Sequence, residues 1–310
     1  MAVIQIVGNQ SGSGRTSVAS ALLVTAQAAG KKAAYYKPTS PQAEADPDVA
    51  YVSQLITRGP AVPAPQTSPP EAQVQEAVAA LESQADVVIV EGPDSASPLT
   101  INSNVVFVFG PAGVPGISGA TGAAGDNLAA IIVNAVPIHR RYQLAHEIGR
   151  QSVPVAVIPE SRGMLSVTVE QLAEHIGGQW VLDPVNTDAP VERVMIGGNI
   201  LDEGPTYFGR YANQAVITRV ERPDIQMACM GGGTRCLVLT GPGEPTEYIK
   251  AEALQREVPL IQVRTNTHDT AESLSGLLDK ADARTAVKAA HFAELLERWM
   301  GADSVNSLLS

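Results

Sequence analysis

A glycine-rich segment near the N-terminus has the residue types of a loop that binds phosphate. Residues 8–17 read Gly-Asn-Gln-Ser-Gly-Ser-Gly-Arg-Thr-Ser and stand between an apolar run and a run of helix-forming residues. Backbone amides of such a loop and the N-terminus of the following helix attract phosphate oxygens, and a threonine hydroxyl placed there binds Mg²⁺. The segment predicts nucleotide contacts from Gly12, Ser13, Gly14, Arg15, Thr16 and Ser17, with Thr16 also holding Mg²⁺.

Arg15 distinguishes this segment from the common phosphate-binding pattern. The common pattern has lysine in that place, and the stretch from Gly8 to Gly14 is one residue longer here than is usual. A planar guanidinium pairs with phosphate, but it does not reproduce the compact charge of an ammonium group. We therefore expect the substitution to preserve nucleotide binding more readily than catalysis.

Charged residues directly follow two further apolar runs. Lys37 follows residues 33–36, and Glu91 follows residues 87–90. Because parallel α/β sheets bind ligands at the carboxyl ends of their strands, both side chains are predicted to face the glycine-rich segment. Lys37 supplies a point charge there and is the candidate catalytic residue, the alternative being a solvated surface lysine. Glu91 is predicted to bind Mg²⁺, which takes one or two carboxylates beside phosphate oxygens.

Two carboxylates lie shortly after Lys37. Asp48 is the predicted partner of Thr16 and Glu91 in the Mg²⁺ site. Asp46 is as well explained by capping a helix that starts near residue 49.

Asn134 follows the apolar run 130–133. Its amide offers both a donor and an acceptor, which is the pair needed to contact an adenine edge. Turn formation by the same asparagine is an equally open alternative.

The first half of the chain has the pattern of a parallel sheet covered by helices. Its apolar runs are nearly continuous rather than alternating, as in strands buried on both faces. They lie at residues 3–7, 33–36, 87–90, 105–109, 130–133 and 153–158, with helices predicted at 70–83, 141–151 and 167–176. We predict an α/β fold with a doubly wound, mainly parallel sheet of the P-loop NTPase type.

Glycine recurs at every third position from residue 110 to residue 125. This is the spacing of a collagen triple helix, but so short a run between two predicted strands cannot leave the sheet to form a trimer. A flexible glycine-rich loop is predicted instead.

A smaller α/β domain is predicted after a cluster of Asp, Asn and Pro at residues 180–190. Strands are predicted at 215–218, 235–240 and 260–264, and helices at 224–230, 247–256 and 270–278. An amphipathic helix is predicted at 285–300, with Gly301 ending it. The predicted division is 1–184, 190–282 and a C-terminal helix and tail at 283–310.

Composition excludes several classes of protein. The net charge of −11 argues against nucleic acid or an anionic membrane as partner. No apolar run approaches the ~20 residues that span a bilayer, and the N-terminus lacks a signal-peptide pattern, so a cytoplasmic protein is expected. Cys229 and Cys236 form neither a disulfide framework nor a zinc set, and are interpreted as buried thiols.

Five segments of the first 180 residues together resemble the dethiobiotin synthetase and cobyrinic acid a,c-diamide synthase group of P-loop proteins. They are the lengthened loop, Tyr-Tyr-Lys-Pro at 35–38, Val-Ile-Val-Glu-Gly at 88–92, Ile-Val-Asn-Ala-Val-Pro at 132–137 and Val-Ile-Pro-Glu at 157–160. The resemblance implies Mg²⁺ ligation by Thr16, Asp48 and Glu91. It also implies a phosphate or substrate contact from Lys37 and a base contact from Asn134. The missing loop lysine departs from that family.

The second half resembles the DRTGG domain, which follows such a P-loop domain in the N-terminal part of long phosphotransacetylases. The resemblance covers residues 191–278. It is carried by Ala-Val-Ile-Thr at 215–218, Glu-Arg-Pro-Asp-Ile-Gln at 221–226, the segment 232–241, Val-Pro-Leu-Ile-Gln-Val at 258–263 and Thr-His-Asp-Thr at 267–270. It implies pairing with a second copy, so a homodimer is expected.

These features together favour a regulatory or sensor protein that binds ATP and Mg²⁺. Its further partner is expected to be a small metabolite or an enzyme of acetate metabolism, whose binding would depend on the nucleotide. The alternative is an ATP-dependent ligase or amidase that acts on a carboxylate, with Lys37 replacing the lost loop lysine. A third alternative is an interaction module that keeps only the fold.

Overall fold

A computed structural model describes residues 2–198 and 204–310 and divides the chain into two compact units. The first unit comprises Met1–Ser161 together with Ala283–Ser310, and the second comprises Arg162–Asp282. No helix among the described residues is long and apolar enough to cross a bilayer.

The secondary structure of the described residues alternates between strands and helices. The strands are β1 (Ala2–Gly8), β2 (Ala33–Tyr36), β3 (Val87–Glu91), β4 (Asn104–Phe109), β5 (Leu128–Val136), β6 (Val155–Pro159), β7 (Val167–Thr168), β8 (Gln179–Trp180), β9 (Pro190–Val191), β10 (Arg193–Ile196), β11 (Gln214–Arg219), β12 (Thr234–Thr240) and β13 (Leu260–Val263). The α-helices are α1 (Arg15–Ala28), α2 (Pro47–Leu55), α3 (Glu71–Glu82), α4 (Ile117–Ala124), α5 (Arg141–Ile148), α6 (Arg162–Leu165), α7 (Val169–His175), α8 (Gly204–Phe208), α9 (Pro223–Cys229), α10 (Glu247–Gln255), α11 (Thr267–Glu272), α12 (Ala286–Met300) and α13 (Ala302–Leu308).

The first unit is built on a six-stranded parallel sheet in the order β2-β3-β1-β4-β5-β6. All six strands coincide with the predicted apolar runs, so the α/β class and the parallel sheet are confirmed. The central strand β1 is buried along its whole length and is flanked by β3 and β4. All six strands run in one direction, so the carboxyl ends of β1, β2 and β3 lie at the same edge of the sheet.

Helices cover both faces of this sheet. Val88 and Val90 of β3 pack with α3 in one core cluster. Helix α1 contacts β3 from the face towards which Glu91 points, and α12 packs against both α1 and β6. The predicted helix at 285–300 is therefore present, and Gly301 follows its last residue as predicted.

The glycine-rich stretch between β4 and β5 is helical, so the prediction of a flexible loop was wrong. A 3₁₀ turn covers Pro111–Gly116 and α4 follows directly. Ile117, Ala120 and Ala124 recur on one face of α4 and enter the core of the first unit. Burial of that face outweighs the weak helix propensity of the intervening glycines.

The second unit has its own five-stranded sheet in the order β10-β11-β12-β13-β8. The first four strands are parallel, and β8 pairs antiparallel with β13. The strands predicted beyond residue 214 are present, as are the helices predicted at 224–230 and 247–256. The helix predicted at 270–278 was misplaced, because α11 ends at Glu272, and β8 and β10 of this sheet were not predicted. Cys229 and Cys236 are free thiols in its cores, as expected, and burial raises the pKa of both to about 12.

The two units divide the chain differently from the predicted ranges 1–184, 190–282 and 283–310. Residues 162–184 belong to the second unit, because Trp180 pairs with Ile261 and Leu172 of α7 lies in its core. Residues 283–310 are not a separate tail, because they return to the first unit. Both differences arise from contacts between distant parts of the chain, which local composition does not report.

Candidate functional site

The glycine-rich loop, residues 9–14, connects the carboxyl end of β1 to the first residue of α1. Gly12 has φ of 73° and Gly14 has φ of 103°, and both values lie in the left-handed region that favours glycine. Gly14 immediately precedes Arg15, Thr16 and Ser17, which form the first turn of α1. The loop therefore turns directly into the N-terminus of a 14-residue helix, where backbone amides lack partners within the helix.

Asn134 fastens the loop to β5. Its Nδ2 donates a hydrogen bond of 3.1 Å to the Ser13 carbonyl oxygen, and it stands against the Cα of Gly14. Asn134 lies within β5 rather than in a turn, so the turn-forming alternative was wrong. Its contact with a base stays a prediction, while its contact with the loop is a role that sequence reasoning missed.

Thr16 and Glu91 meet beneath the loop. Thr16 Oγ1 donates to Glu91 Oε1 at 2.9 Å, and Tyr35 Oη donates to Glu91 Oε2 at 2.7 Å. Glu91 is the last residue of β3 and is 3% exposed, and Tyr35 is 1% exposed. Two of the three predicted Mg²⁺ ligands are thus in direct contact.

The surroundings of Glu91 disfavour its charge. Burial raises the pKa of this carboxyl above its ordinary value, and the nearby Asp48 carboxylate raises it further. The hydrogen bond from Tyr35 and the charges of Lys37 and Arg15 act in the opposite direction without cancelling the increase. A divalent cation would offset the burial of this carboxylate.

Lys37 is held between two carboxylates at the N-terminus of α2. Its Nζ lies 2.7 Å from Asp46 Oδ2 and 2.6 Å from Asp48 Oδ2. Asp46 Oδ1 also accepts from the Val49 amide at 2.9 Å, so the predicted cap is confirmed and Asp46 has both roles. The solvated alternative for Lys37 was wrong, because its side chain is 13% exposed.

These contacts shift the pKa values of Lys37 and Asp46. Burial lowers the pKa of Lys37, but hydrogen bonds to Asp46 and Asp48 raise it by more. Burial raises the pKa of Asp46, but the hydrogen bond from Lys37 and those from Ser40 and the Val49 amide lower it by more. Lys37 and Asp46 are therefore both charged over a wide range of pH.

Asp48 has a second cationic partner from the C-terminal segment. Arg284 Nε donates to Asp48 Oδ1 at 2.7 Å, while Lys37 occupies Oδ2. Both oxygens of this predicted Mg²⁺ ligand are thus hydrogen-bonded to cations. Asp48 is close enough to Glu91 to shift its pKa, but its carboxylate is held towards Lys37 and Arg284.

Arg15 does not extend freely from the loop. Its side chain folds over Gly8, where a Cβ would lie 2.8 Å from the Arg15 Cδ. Its guanidinium donates to the Gly92 carbonyl oxygen and lies 3.6 Å from Asp94 Oδ2. The arginine that replaces the usual lysine is thus directed to the segment after β3.

Six charged residues of the site border a cavity of about 480 Å³, whereas Thr16 and Asn134 are not part of its lining. Its lining has two cations and four carboxylates, which leaves a formal excess of negative charge: Arg15, Lys37, Asp46, Asp48, Glu91 and Asp94. Ser11 of the loop lines the same cavity. A volume of this size is ordinary for a small-molecule site.

The residues present fit a nucleotide with Mg²⁺ in part. Ser13 Oγ is buried without a hydrogen-bond partner, and it lies 2.7 Å from where a Cβ on Gly8 would be. The described residues contain no ready-made group of three His, Cys, Asp or Glu side chains that could hold a metal. Thr16 and Glu91 are placed to hold Mg²⁺ beside a phosphate, whereas Asp48 would first have to leave a cationic partner.

Three contributors to this site were missed by sequence reasoning. Tyr35 had a readable signal, because it lies two residues before Lys37 in a strand and side chains two apart share a face. Asp94, two residues after Gly92, was within reach of the same argument about strand ends. Arg284 had no local signal, since 236 residues separate it from Asp48.

The second unit offers less chemistry at the places singled out in the sequence. Arg222 and Asp224 form an exposed ion pair, with Nη2 and Oδ2 2.7 Å apart. The stretch at 240–243 is oriented by Gln262, whose Nε2 donates to the carbonyl oxygens of Gly241 and Gly243.

Comparison with known proteins identifies one domain of this chain. Residues 171–277 match the family model described as the DRTGG domain, and the match lies entirely within the second unit. A DRTGG domain is therefore present, as predicted, although the match begins before the predicted start at residue 190.

One solved structure with similarity contains the CBS and DRTGG domains of the regulatory region of Clostridium perfringens pyrophosphatase, complexed with the activator diadenosine tetraphosphate. The alignment has 12% identity and covers 49% of this chain and 74% of that chain, with a TM-score of 0.32. A similarity of this strength supports no inference about fold or ligand.

Proposed function

We propose that this DRTGG-domain protein binds a magnesium nucleotide, ATP or ADP, at the glycine-rich loop and acts as a nucleotide sensor. The loop would hold the phosphates, and Thr16 with Glu91 would hold the metal. Nucleotide binding would change how the DRTGG domain binds a partner or a small metabolite. Its presence in the same chain as a candidate nucleotide site is what favours regulation over metabolism.

The contact between Thr16 and Glu91 carries this proposal. A helix-start threonine and a buried strand-end carboxylate, 2.9 Å apart at one edge of a parallel sheet, are the oxygen ligands that Mg²⁺ shares with phosphates. An ionised carboxylate that is 3% exposed is unfavourable unless a cation or hydrogen bonds compensate it. Glu91 has only hydroxyl donors as direct hydrogen-bond partners in the described structure, and a metal ion would supply the missing charge.

The charge of the cavity makes the metal a requirement for binding. With four carboxylates against two cations in its lining, the cavity repels a free triphosphate. Mg²⁺ reverses that imbalance at the place where phosphate and carboxylate oxygens meet. Nucleotide affinity is therefore expected to disappear in EDTA rather than to weaken slightly.

Both lining cations are already engaged, which favours sensing over turnover. Arg15 contacts Gly92 and Asp94, and Lys37 is paired with Asp46 and Asp48. Phosphoryl transfer needs cations positioned on the transferring group. Neither group is in that position without rearranging its ion pairs.

Isothermal titration of the whole chain with MgATP and MgADP tests the proposal. We expect saturable binding that is lost in EDTA and weakened at least tenfold in Thr16→Val. Thr25→Val is the matched control, because Thr25 lies in the same helix and, among the described residues, its hydroxyl bonds only to the Ala21 carbonyl oxygen. No binding by the unmodified protein at millimolar nucleotide, or equal affinity in both variants, contradicts the proposal.

The ligase alternative makes a different prediction. It requires sustained phosphate release from ATP that depends on an added carboxylic acid and falls in Glu91→Ala. Saturable MgATP binding without such release supports the sensor, and acid-dependent release supports the enzyme.

A further inference from the structure

The side chain of Asp48 is occupied on both oxygens by cations from different parts of the chain. Lys37 Nζ lies 2.6 Å from Oδ2, and Arg284 Nε lies 2.7 Å from Oδ1. Asp48 is 13% exposed, so these contacts are only weakly screened by water. A metal ion that binds Glu91 would therefore find the charge of Asp48 already neutralised by Lys37 and Arg284.

Thr285, the residue after Arg284, contacts α2, the helix that also contains Asp48. Tyr51 Oη donates to the Thr285 carbonyl oxygen at 3.0 Å, and Thr285 Oγ1 accepts from the Lys288 amide at the start of α12. Asp48 and Tyr51 are three residues apart in α2 and therefore lie on one side of it. The segment 283–285 is thus tied to α2 at two points and to α12 at a third.

This segment is also where the chain re-enters the first unit. The second unit ends at Asp282, so Arg284 is the second residue after the crossing. The interval between the DRTGG match, which ends at residue 277, and the candidate Mg²⁺ ligand Asp48 is only a few residues of chain plus one ion pair. The contact is well placed to carry a signal in either direction.

We propose that Arg284 gates the candidate nucleotide site by competing with Mg²⁺ for Asp48, and that nucleotide binding releases the segment 283–285. The inference rests on the proposed function and names how that same site is regulated. While Arg284 holds Asp48, the carboxylate is a poor ligand, because metal binding must displace a cation or tolerate its repulsion. By linkage, whatever draws Arg284 away tightens nucleotide binding, and nucleotide binding frees Arg284 to the same degree.

The sign of the effect separates a gate from an ordinary binding residue. An arginine that contacts the nucleotide phosphates would strengthen binding, so removing it would weaken the affinity. Removing an arginine that gates the site is expected to do the reverse and to increase the affinity for nucleotide. By Coulomb's law, removing a unit charge a few ångströms from a divalent ion changes affinity by at least about tenfold, even at the dielectric constant of bulk water.

The experiment compares MgATP affinity in the full chain and in three variants by isothermal titration. Arg284→Gln is expected to bind about tenfold more tightly than the unmodified protein, and Tyr51→Phe severalfold more tightly, because it loosens the same segment without changing charge. Arg150→Gln is the matched control: it removes an exposed arginine that lies before β6, at the opposite edge of the sheet, and is expected to change nothing. Manganese binding without nucleotide, measured by electron paramagnetic resonance, should follow the same order.

A second measurement uses only the unmodified protein. Amide hydrogen exchange of residues 283–288 is expected to accelerate when MgATP saturates the site, while residues 305–308 of α13 serve as internal reference. This readout decides the matter even if Arg284→Gln fails to fold.

The outcomes separate the two proposals. If the unmodified protein binds MgATP but Arg284→Gln binds with equal or weaker affinity, and exchange at 283–288 is unchanged, the gate is wrong and the nucleotide site stands. If neither the unmodified protein nor Arg284→Gln binds MgATP, the nucleotide site is wrong and the gate falls with it.

Discussion

The side-chain amide of Asn134 occupies the space that a Cβ on Gly14 would need, with Nδ2 only 2.3 Å from that position. The same amide donates to the carbonyl oxygen of Ser13, so the loop is held against β5 by close packing as well as by a hydrogen bond. The left-handed φ of Gly14 and this close approach both require glycine, for independent reasons.

Gly14→Ala is therefore expected to destabilise the protein by about 3 kcal/mol, combining left-handed strain with overpacking. Denaturant unfolding measures this. Gly30→Ala is the control, because Gly30 also has positive φ but nothing lies within 4 Å of its Cβ position, so its cost is about 1 kcal/mol. Adding Asn134→Ala to Gly14→Ala should recover the part of the stability loss that comes from overpacking. Equal losses in the two glycine variants would contradict the clash.

Glu91→Gln is expected to raise the melting temperature at neutral pH while abolishing MgATP binding. The folded-state pKa of Glu91 is above its ordinary value, chiefly through burial, so its ionisation opposes folding. That penalty is absent at a pH below the ordinary value of 4.5, grows as pH rises from there towards the raised folded value, and is constant above it. Thermal unfolding at several pH values should show the gain of the variant vanishing in acid. A lower melting temperature at pH 7 would count against this, and Glu76→Gln, on the exposed side of α3, is the control.

Lys37→Met is expected to cost about 3 kcal/mol at neutral pH, because it leaves Asp46 without its cation while still buried. The pKa of Asp46 is lowered in the folded state, so this stabilisation exists above its ordinary value of 3.8 and is lost as pH falls further. The pKa of Lys37 is raised, so its share persists below 10.5 and is lost as pH rises beyond it. The free energies of unfolding of the unmodified protein and of Lys37→Met should converge at both acid and alkaline extremes of pH. A difference that is constant from pH 3 to pH 7 would be incompatible with this pairing.

Asp94→Asn is expected to tighten MgATP binding about threefold at low salt, because it releases the Arg15 guanidinium for phosphate. Asp94 is 49% exposed and the pair is 3.6 Å apart, so stability should change by less than about 1 kcal/mol. Asp126→Asn, an exposed carboxylate that precedes β5, controls for net charge. Titration at two salt concentrations should show the gain shrinking as salt rises. An identical gain in the control would assign the effect to general electrostatics.

Much of the first unit was predictable because its strands carry their signal locally. Runs of aliphatic residues buried on both faces identified every strand of the parallel sheet, and the rule that ligands lie at strand ends brought Thr16, Lys37 and Glu91 to one edge. The role of Asp46 could be weighed only between a metal ligand and a helix cap, since an aspartate is suited to either. The structure shows the cap, together with an ion pair to Lys37 that was not predicted.

The remaining features depend on contacts that no local window contains. The helical character of α4 comes from three apolar residues packing on a core formed by other strands. The pairing of β8 with β13 moves residues 162–184 into the second unit, and Arg284 reaches Asp48 across 236 positions. Each of these features depends on tertiary contacts, which local propensity and composition do not reveal.

The packing of α12 on α1 has a consequence for how the protein is made. On the ribosome, α1 emerges early, but the helix that covers it is synthesised only after the entire second unit. The second unit therefore has all of its chain available first, while the helix bearing the glycine-rich loop waits with an apolar face uncovered. Expression fragments that stop at residue 184 would leave that face permanently bare, and nascent chains are expected to need chaperone protection until the last two helices arrive.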